Sequence, residues 1–177
     1  MSVQSAAVLP APRAPLAVIG TTVPEPAADE ILVRVRTVAI NPVDWVIQGT
    51  SRVTYRWLRT PAVLGSDVAG EVVAVGSAVT RFRVGQRVFG LATGTDKGRD
   101  PLREGAFQEY TVLLERLAAP IPDALSDEEA AVPRSASPPR RVRSSSPRTS
   151  DSGCQPAKHP ASAAVSWWCG AERRASA

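Results

Sequence analysis

Cysteine and histidine are missing from most of this chain. The two cysteines are Cys154 and Cys169, and the single histidine is His159, so residues 1–153 carry neither a thiol nor an imidazole. We therefore expect no disulfide and no thiolate or imidazole metal site in that part of the chain.

Long apolar runs are also absent. No stretch approaches the roughly 20 apolar residues that a membrane-spanning helix needs. The segment Met1–Pro10 has neither the charged start nor the apolar core of a secretory signal. We expect a cytoplasmic protein that does not associate with membranes.

The composition changes abruptly after Val132. Residues 1–132 hold 13 Lys and Arg against 15 Asp and Glu, whereas residues 133–177 hold 8 against 2. Of the last 45 residues, 23 are Ser, Pro or Arg, a composition that cannot bury enough apolar surface to offset chain entropy. We expect residues 6–125 to form a folded domain, residues 126–132 to begin a helix, and residues 133–177 to be a disordered basic tail.

Short strands separated by glycine and proline turns dominate the folded part. The alternation of apolar and polar residues, or a β-rich run, predicts strands at Glu30–Val38, Asp67–Gly76 and Gly105–Leu114. The segment Phe82–Phe89 predicts a tight Gly turn that opens into a further strand. Gly70 predicts a bulge or bend within the second of these strands. The polar segment Leu91–Glu104 predicts a long exposed loop. The fold class is therefore mainly β, a small barrel or sandwich with minor helices.

One helix start is well marked. Ser126 and Glu129 have the spacing of a capping box, in which each side chain bonds the other residue's backbone N–H. The apolar residues that follow should continue a helix, but Pro133 interrupts it before two turns are complete. A helix start without its helix therefore coincides with the change in composition.

Seven segments in fixed order resemble a known family. They are Glu30-Ile31-Leu32-Val33-Arg34-Val35, Asn41-Pro42-Val43-Asp44-Trp45, Leu64–Val73 with Val75-Gly76, Arg81–Gly90, Gly105–Tyr110, Ile121–Ser126 and Glu128–Val132. This series resembles the catalytic GroES-like domain of the medium-chain dehydrogenase/reductase superfamily. Within it the chain is similar to the zinc-free branch of quinone oxidoreductases and trans-acting enoyl reductases, and the fold implied is a GroES-like barrel.

The resemblance implies a zinc-independent enzyme. Zinc alcohol dehydrogenases place a Cys near Asn41, a Gly-His-Glu where this chain has Gly65-Ser66-Asp67, and a four-Cys lobe in the loop that corresponds to Leu91–Glu104. None of those ligands is present, and Ser and Asn are poor ligands for zinc. The activity implied is NADPH-dependent reduction of an activated C=C bond, of enoyl or quinone type, in a small-molecule substrate.

The resemblance also implies a cofactor contact. The family's Asn-Pro-x-Asp segment lines the cleft beside the nicotinamide half of NADPH, which assigns cofactor binding to Asn41, Pro42, Val43 and Asp44. The side chain of Asp44 should then face the cleft between two domains. A plain structural alternative is that Asn41-Pro42 forms a turn and that Asp44 caps the helix that follows.

Three aromatic residues are candidates for the substrate pocket. By the same resemblance Trp45, and with it Tyr55 and Trp57, would wall the pocket. The alternative is that Trp45 and Trp57 belong to the core, since large aromatic side chains are usually mostly buried. No catalytic residue is assigned by the sequence.

The family continues into a Rossmann domain, and a second reading frame of the tail is compatible with one. Trp has the single codon TGG, so Ser166–Glu172 read from the third base of Ser166 permits Leu-Val-Val-Trp-Gly-Gly, a strand running into a Gly-rich phosphate turn. The same shift over Pro133–Ser146 permits an apolar helix. We expect a frame-shifted tail on a truncated catalytic domain that has no turnover by itself.

Two non-enzymatic or composite alternatives remain at this point. The basic tail could bind RNA or another polyanion on a free GroES-like module, although no aromatic residues interleave its charge run and nucleic acid binding is not the expectation. A partner chain could instead supply the Rossmann domain, which leaves an oligomer open.

Overall fold

The structure is a computed structural model that describes residues 2–50 and 53–132. It contains eight strands, two α-helices and one short 3-10 helix among those residues. The strands are β1 (Val3–Leu9), β2 (Ala17–Thr22), β3 (Glu30–Ala39), β4 (Ala62–Val63), β5 (Asp67–Val75), β6 (Arg87–Leu91), β7 (Tyr110–Leu114) and β8 (Ala118–Pro120). The helices are α1 (Pro42–Thr50), α2 (Asp127–Ala131) and the 3-10 turn Glu115–Leu117.

The strands form two antiparallel sheets, with strand orders β2-β1-β4 and β7-β3-β5-β6-β8. The mainly β prediction with minor helices is therefore confirmed. The alternation predicted in β3 holds from Val33 onward, since Val33 and Val35 are buried while Arg34 and Arg36 are exposed, but Leu32 on the other face is buried as well. Buried side chains from β3, β5, β6 and β7 form the main hydrophobic core.

The sequence predicts a bulge or bend at Gly70 on β5, but the extra residue of the bulge lies on the neighbouring strand β3. Val35 pairs with Gly70 and Thr37 pairs with Ala69, so the extra residue is Arg36 on β3. Gly70 instead permits a close approach of two backbones. A Cβ at this position would lie 2.2 Å from the carbonyl oxygen of Arg34.

The segment 105–109 joins the two sheets. Ala7 donates its backbone N–H to the Phe107 carbonyl at 2.8 Å, and Gln108 forms an isolated bridge with Ala6. The Gln4 side-chain amide donates to Gln108 Oε1 at 3.0 Å. The last predicted strand therefore begins at Tyr110 rather than at residue 105, because residues 105–109 divide their backbone hydrogen bonds among β1, β3 and the segment 64–65.

The loop 91–104 is exposed in its middle, at residues 96–98, 100 and 102, but residues 92–95 and Glu104 are buried. Thr93 and Thr95 are each 8% exposed and Glu104 is 3% exposed. The predicted exposure is therefore correct for the middle of the loop and wrong at the buried residues, because Glu104 accepts hydrogen bonds from Thr93 and Arg99 inside the loop.

Helix α2 begins as predicted. Ser126 Oγ accepts from the Glu129 N–H at 3.1 Å, and Glu129 Oε2 accepts from the Ser126 N–H at 3.0 Å, which completes the capping box. Ala131 then packs against Ala69 and Ile121. The tail predicted over residues 133–177 lies outside the described residues. Within those residues no helix is long and apolar enough to cross a membrane.

Candidate functional site

Asn41 occupies the short connection between β3 and helix α1. Pro42 is the first helical residue, a position that suits its fixed backbone angle and missing N–H. Asp44, two residues later, accepts the Asn41 backbone N–H through Oδ2 at 2.7 Å. The local sequence thus forms a capped helix start, and Asn41 is the residue from which the chain enters it.

The side chain of Asp44 points inward, which corrects the expectation that it faces a cleft. It is 5% exposed, and its Oδ1 makes no hydrogen bond within the described residues. The reason is the hydrogen bond to Asn41, which turns the carboxylate back under the start of its own helix. The carboxylate of Asp44 is thus engaged at the start of its own helix, as the plain structural alternative expects, although Asp44 lies within α1 rather than before it. A contact of Asp44 with a cofactor stays a prediction.

A hydrogen bond joins Asn41 to the first residue of β5. Asn41 Nδ2 donates to Asp67 Oδ2 at 2.7 Å, and Asp67 pairs in the sheet with Ala39 and Leu91. The neighbouring Gly65 has a positive φ of 86°, and a Cβ there would lie 2.4 Å from the Phe107 ring. Glycine is therefore required for the chain to turn into β5 beside Asn41.

The two carboxyl groups near Asn41 share a low-polarity environment. Burial raises the pKa of Asp44, and the negative charge of Asp67 raises it further. The N–H groups of Asn41 and Gly65 oppose that rise in pKa, although only the Asn41 N–H makes a hydrogen bond of good geometry. Burial also raises the pKa of Asp67, against the hydrogen bond from the Asn41 amide.

Four exposed apolar side chains lie on or next to the elements that meet at the Asn41–Asp67 pair, namely the end of β3, helix α1 and the end of β6. We call these residues the site face: Ile40, Val43, Trp45 and Leu91, which are 52%, 38%, 67% and 43% exposed. Ile40 and Val43 flank Asn41 and Pro42 in sequence, and Leu91 pairs with Asp67. A polar pair within an apolar rim is typical of small-molecule sites, which use few polar groups to orient a ligand.

The three aromatic candidates lie in different environments. Trp45 is on the exposed side of α1, and Trp57 is 44% exposed, so the alternative that either belongs to the core is wrong. Trp57 Nε1 donates to the Thr95 carbonyl at 3.0 Å, and its ring lies 5.4 Å from that of Tyr55 at an angle of 54°. Tyr55 is partly buried against the cluster that contains Ile47. Tyr55 and Trp57 are thus in ring contact, and Trp57 is hydrogen-bonded to the loop 91–104.

An apolar cavity of about 480 Å³ opens beside the same end of β3. It includes Ile40, which directly precedes Asn41, but none of the seven residues assigned from the sequence. Its lining is Ala6, Ala7, Leu16, Val18, Val35, Val38, Ile40, Ala106, Phe107 and Gln108. Gln108 brings the only side-chain amide to this lining, and that amide already bonds Gln4, Arg103 and Gly105.

Sequence reasoning missed a buried ion cluster, formed by Glu30, Arg99, Arg103 and Glu104. Arg99 and Arg103 reach Glu30 at 3.3 and 2.9 Å, and Arg99 Nε also bonds Glu104 Oε2. Both carboxylates are 3% exposed, and Thr93 Oγ1 donates to Glu104 Oε2 at 3.0 Å. The dense charges of the segment 99–104 were the available signal, but charge runs in loops ordinarily face solvent.

Within the described residues, no group of three or more His, Cys, Asp or Glu side chains is placed to hold a metal ion. The positions compared with zinc ligands, Asn41 and Ser66-Asp67, do come together, but an amide and a carboxylate meet there in a hydrogen bond. Absence of zinc stays a prediction.

The sequence matches the family described as "Alcohol dehydrogenase GroES-like domain" over residues 27–123. The chain belongs to this family. The match covers β3 to β8, and therefore includes the Asn41–Asp67 pair, the site face and the loop 91–104.

Curated relatives carry the names of oxidoreductases. The chain is 53% identical to the dehydrogenase pigH of Monascus ruber over 133 residues, which are 75% of this chain and 36% of pigH. It is 42% identical to the trans-enoyl reductase tndF of Aspergillus flavipes, over 72% of this chain and 36% of tndF. It is 46% identical to a protein of Emericella nidulans named "Zinc-binding alcohol dehydrogenase domain-containing protein cipB", over 60% of this chain and 32% of cipB. The chain thus spans about a third of the length of these curated relatives.

Solved structures agree with this family. A quinone oxidoreductase from Coxiella burnetii superposes with a TM-score of 0.64 at 26% identity, over 73% of this chain and 40% of that one. A mycobacterial protein solved with NADPH superposes with a TM-score of 0.59 at 25% identity, over 72% and 37%. The resemblance to the medium-chain dehydrogenase/reductase superfamily is confirmed, and relatives of enoyl reductase and quinone oxidoreductase type are among the matches.

Proposed function

We propose that this chain is the catalytic domain of an NADPH-dependent, zinc-independent oxidoreductase that reduces an activated C=C bond of a small molecule. The observation that carries the proposal is the site itself. A hydrogen-bonded Asn41–Asp67 pair lies where zinc enzymes of the superfamily place ligands, and exposed apolar residues at the end of β3, on α1 and on β6 adjoin it in sequence or in the sheet. The names of the enoyl reductase and quinone oxidoreductase relatives support the same class of reaction.

The exposed residues at the start of α1 fit contact with a flat, largely apolar ring. Pro42, Val43 and Trp45 are exposed, whereas Asp44 lies beneath them. In this proposal Asn41, Pro42 and Val43 contact the nicotinamide end of the cofactor, and Asp44 holds the Asn41 backbone in place from below. NADPH, when bound, would supply the hydride, while these side chains orient the ring and exclude water.

Trp45 and the Tyr55–Trp57 pair would wall the substrate. Their rings are available for this because they are exposed or partly exposed in the described structure. Stacking on an aromatic face and burial of apolar area would favour conjugated, planar substrates such as enones, enoyl thioesters and quinones.

Most of the affinity for NADPH should come from a second domain that binds the pyrophosphate. Every strand pairing in the described residues is antiparallel, so the parallel βαβ unit that holds a pyrophosphate at a helix N-terminus is not among them. We propose that residues 6–125 are one domain and that residues 126–132 begin the connection to a second.

We further propose that the second domain is encoded in another frame after Val132. Under this proposal the 177-residue chain has no reductase turnover and holds NADPH only by its nicotinamide end. Calorimetric titration of the chain with NADPH tests this part, and the expected result is no saturation in the micromolar range. Saturable micromolar binding would contradict it, and a genomic read through codons 130–135 would show directly whether the frame changes.

A further inference from the structure

We propose that the buried ion cluster is a positioning device for Trp57, and that Glu104 is its central residue. The proposal deepens the proposed function and rests on it, because Trp57 matters to the reaction only as a wall of the substrate pocket. It concerns residues that lie in the loop where zinc enzymes of the superfamily carry a four-Cys lobe.

Glu104 is hydrogen-bonded to several other residues of the loop. Glu104 Oε2 accepts from Thr93 Oγ1 at 3.0 Å and from Arg99 Nε, and Glu104 Oε1 accepts from the Asp100 N–H at 3.3 Å. The Gly94 N–H donates to the Glu104 carbonyl at 2.9 Å. One buried residue therefore fixes both the beginning and the end of the segment 93–104.

Two arginines connect the loop to β3. Arg99 and Arg103 extend from the loop to Glu30, the first residue of β3, at 3.3 and 2.9 Å. Arg103 Nη2 also donates to the Glu25 carbonyl at 2.8 Å. Two carboxylates and two guanidinium groups balance in charge, which is the condition under which buried ions are tolerated. These ion pairs fasten the loop to the main sheet.

A hydrogen bond connects the loop to Trp57. Thr95 lies two residues from Thr93, is 8% exposed, and offers its carbonyl to Trp57 Nε1 at 3.0 Å. The indole is otherwise 44% exposed. The indole also packs against the Tyr55 ring. In the proposal, the hydrogen bond to Thr95 sets the orientation of the indole, and Glu104 sets the position of the Thr95 carbonyl.

The test uses the full chain and reads the indole N–H directly. In a ¹⁵N–¹H spectrum the four Trp residues give four indole signals, and the signal lost in Trp57→Phe identifies Trp57. We expect Glu104→Gln to shift the Trp57 signal toward that of a solvated indole and to speed its exchange with water at least tenfold. The Trp45 signal should not move. The control Glu128→Gln removes an equal charge from an exposed position on α2 and should move none of the four signals.

A second variant keeps the test valid if Glu104→Gln does not fold. Thr93→Val removes one hydrogen bond to Glu104 without changing any charge, and we expect the same shift of the Trp57 signal at smaller amplitude. An unchanged Trp57 signal in a folded Glu104→Gln or Thr93→Val chain overturns the proposal, and so does an equal disturbance of Trp45. Neither result bears on whether a reductase is assembled from this domain, so the two proposals fail separately.

Discussion

The Asn41 side-chain amide donates to the carboxylate of Asp67 at 2.7 Å, across 26 residues of sequence. This bond fixes the end of β3 against the start of β5, and the site face adjoins it. It is also the side-chain hydrogen bond that the half-buried Asp67 carboxylate accepts among the described residues.

Removing that donor should destabilise the fold. Asn41→Ala leaves Asp67 without its amide, and a hydrogen bond to a charged group contributes about 1.5–3 kcal/mol. Urea unfolding of the single variants and of Asn41→Ala with Asp67→Ala gives the coupling free energy directly. A coupling near zero would show that the bond does not hold the site.

The pH dependence of stability should carry the signature of Asp67. Its pKa is raised above the usual 3.8, so the folded state holds a proton that the unfolded state releases. Stability from this group is therefore greatest at low pH and falls as pH rises from about 4 through the folded pKa. Urea unfolding at several pH values should show Asp67→Asn gaining stability on the parent chain as pH rises, and a constant difference would contradict the raised pKa.

Substitutions at the adjacent residues Asp44 and Trp45 should differ in their effect on the free energy of unfolding. Asp44→Ala leaves the buried Asn41 N–H without its acceptor, and we expect a loss of about 1–3 kcal/mol in the free energy of unfolding. Trp45→Ala alters an exposed side chain and should stay within about 0.5 kcal/mol. Equal losses in urea unfolding would indicate that Trp45 packs against structure in solution.

A substitution at Gly70 tests the close approach between β3 and β5, and the same substitution at Gly49 serves as its control. Gly70→Ala would bring a Cβ to 2.2 Å from the Arg34 carbonyl oxygen, and we expect the chain to lose its cooperative unfolding transition. At Gly49, on α1, an added Cβ meets nothing within 4 Å among the described residues. Gly49→Ala should therefore be neutral or stabilising by up to about 1 kcal/mol. A mild effect of Gly70→Ala on the melting curve would contradict the register of β3 and β5.

Zinc content checks the assignment to a zinc-independent enzyme. In the chain with Cys154, His159 and Cys169 all replaced by Ala, we expect elemental analysis to find far less than one zinc per molecule. The replacements remove soft donors that lie outside the described residues. One zinc per molecule in that variant would mean that oxygen donors of the folded domain bind the metal.

How far the sequence predicts the molecule differs from one element to the next. Strand β3 and the capping box at Ser126 were correct because each depends on a local pattern, alternation in one case and i to i+3 spacing in the other. The interior of the loop 91–104 was missed because Glu104 and Glu30 are 74 positions apart, and no local pattern shows that two arginines will join them.

The candidate site was predicted in its location but not in its orientation. The segment beginning at Asn41 does start a helix beside Asp67, yet the direction of the Asp44 side chain follows from a backbone hydrogen bond that composition does not reveal. The exposure of Trp45 and Trp57 was likewise open, because aromatic residues serve cores and binding surfaces equally well.

The most direct test of the central claim is NADPH oxidation by the protein expressed with its frame restored after Val132. We predict reduction of at least one class among enones, enoyl thioesters and quinones, at a rate unchanged by a zinc chelator. A restored protein that is folded and binds NADPH, yet is inactive with all three classes or active only with added zinc, would contradict the claim.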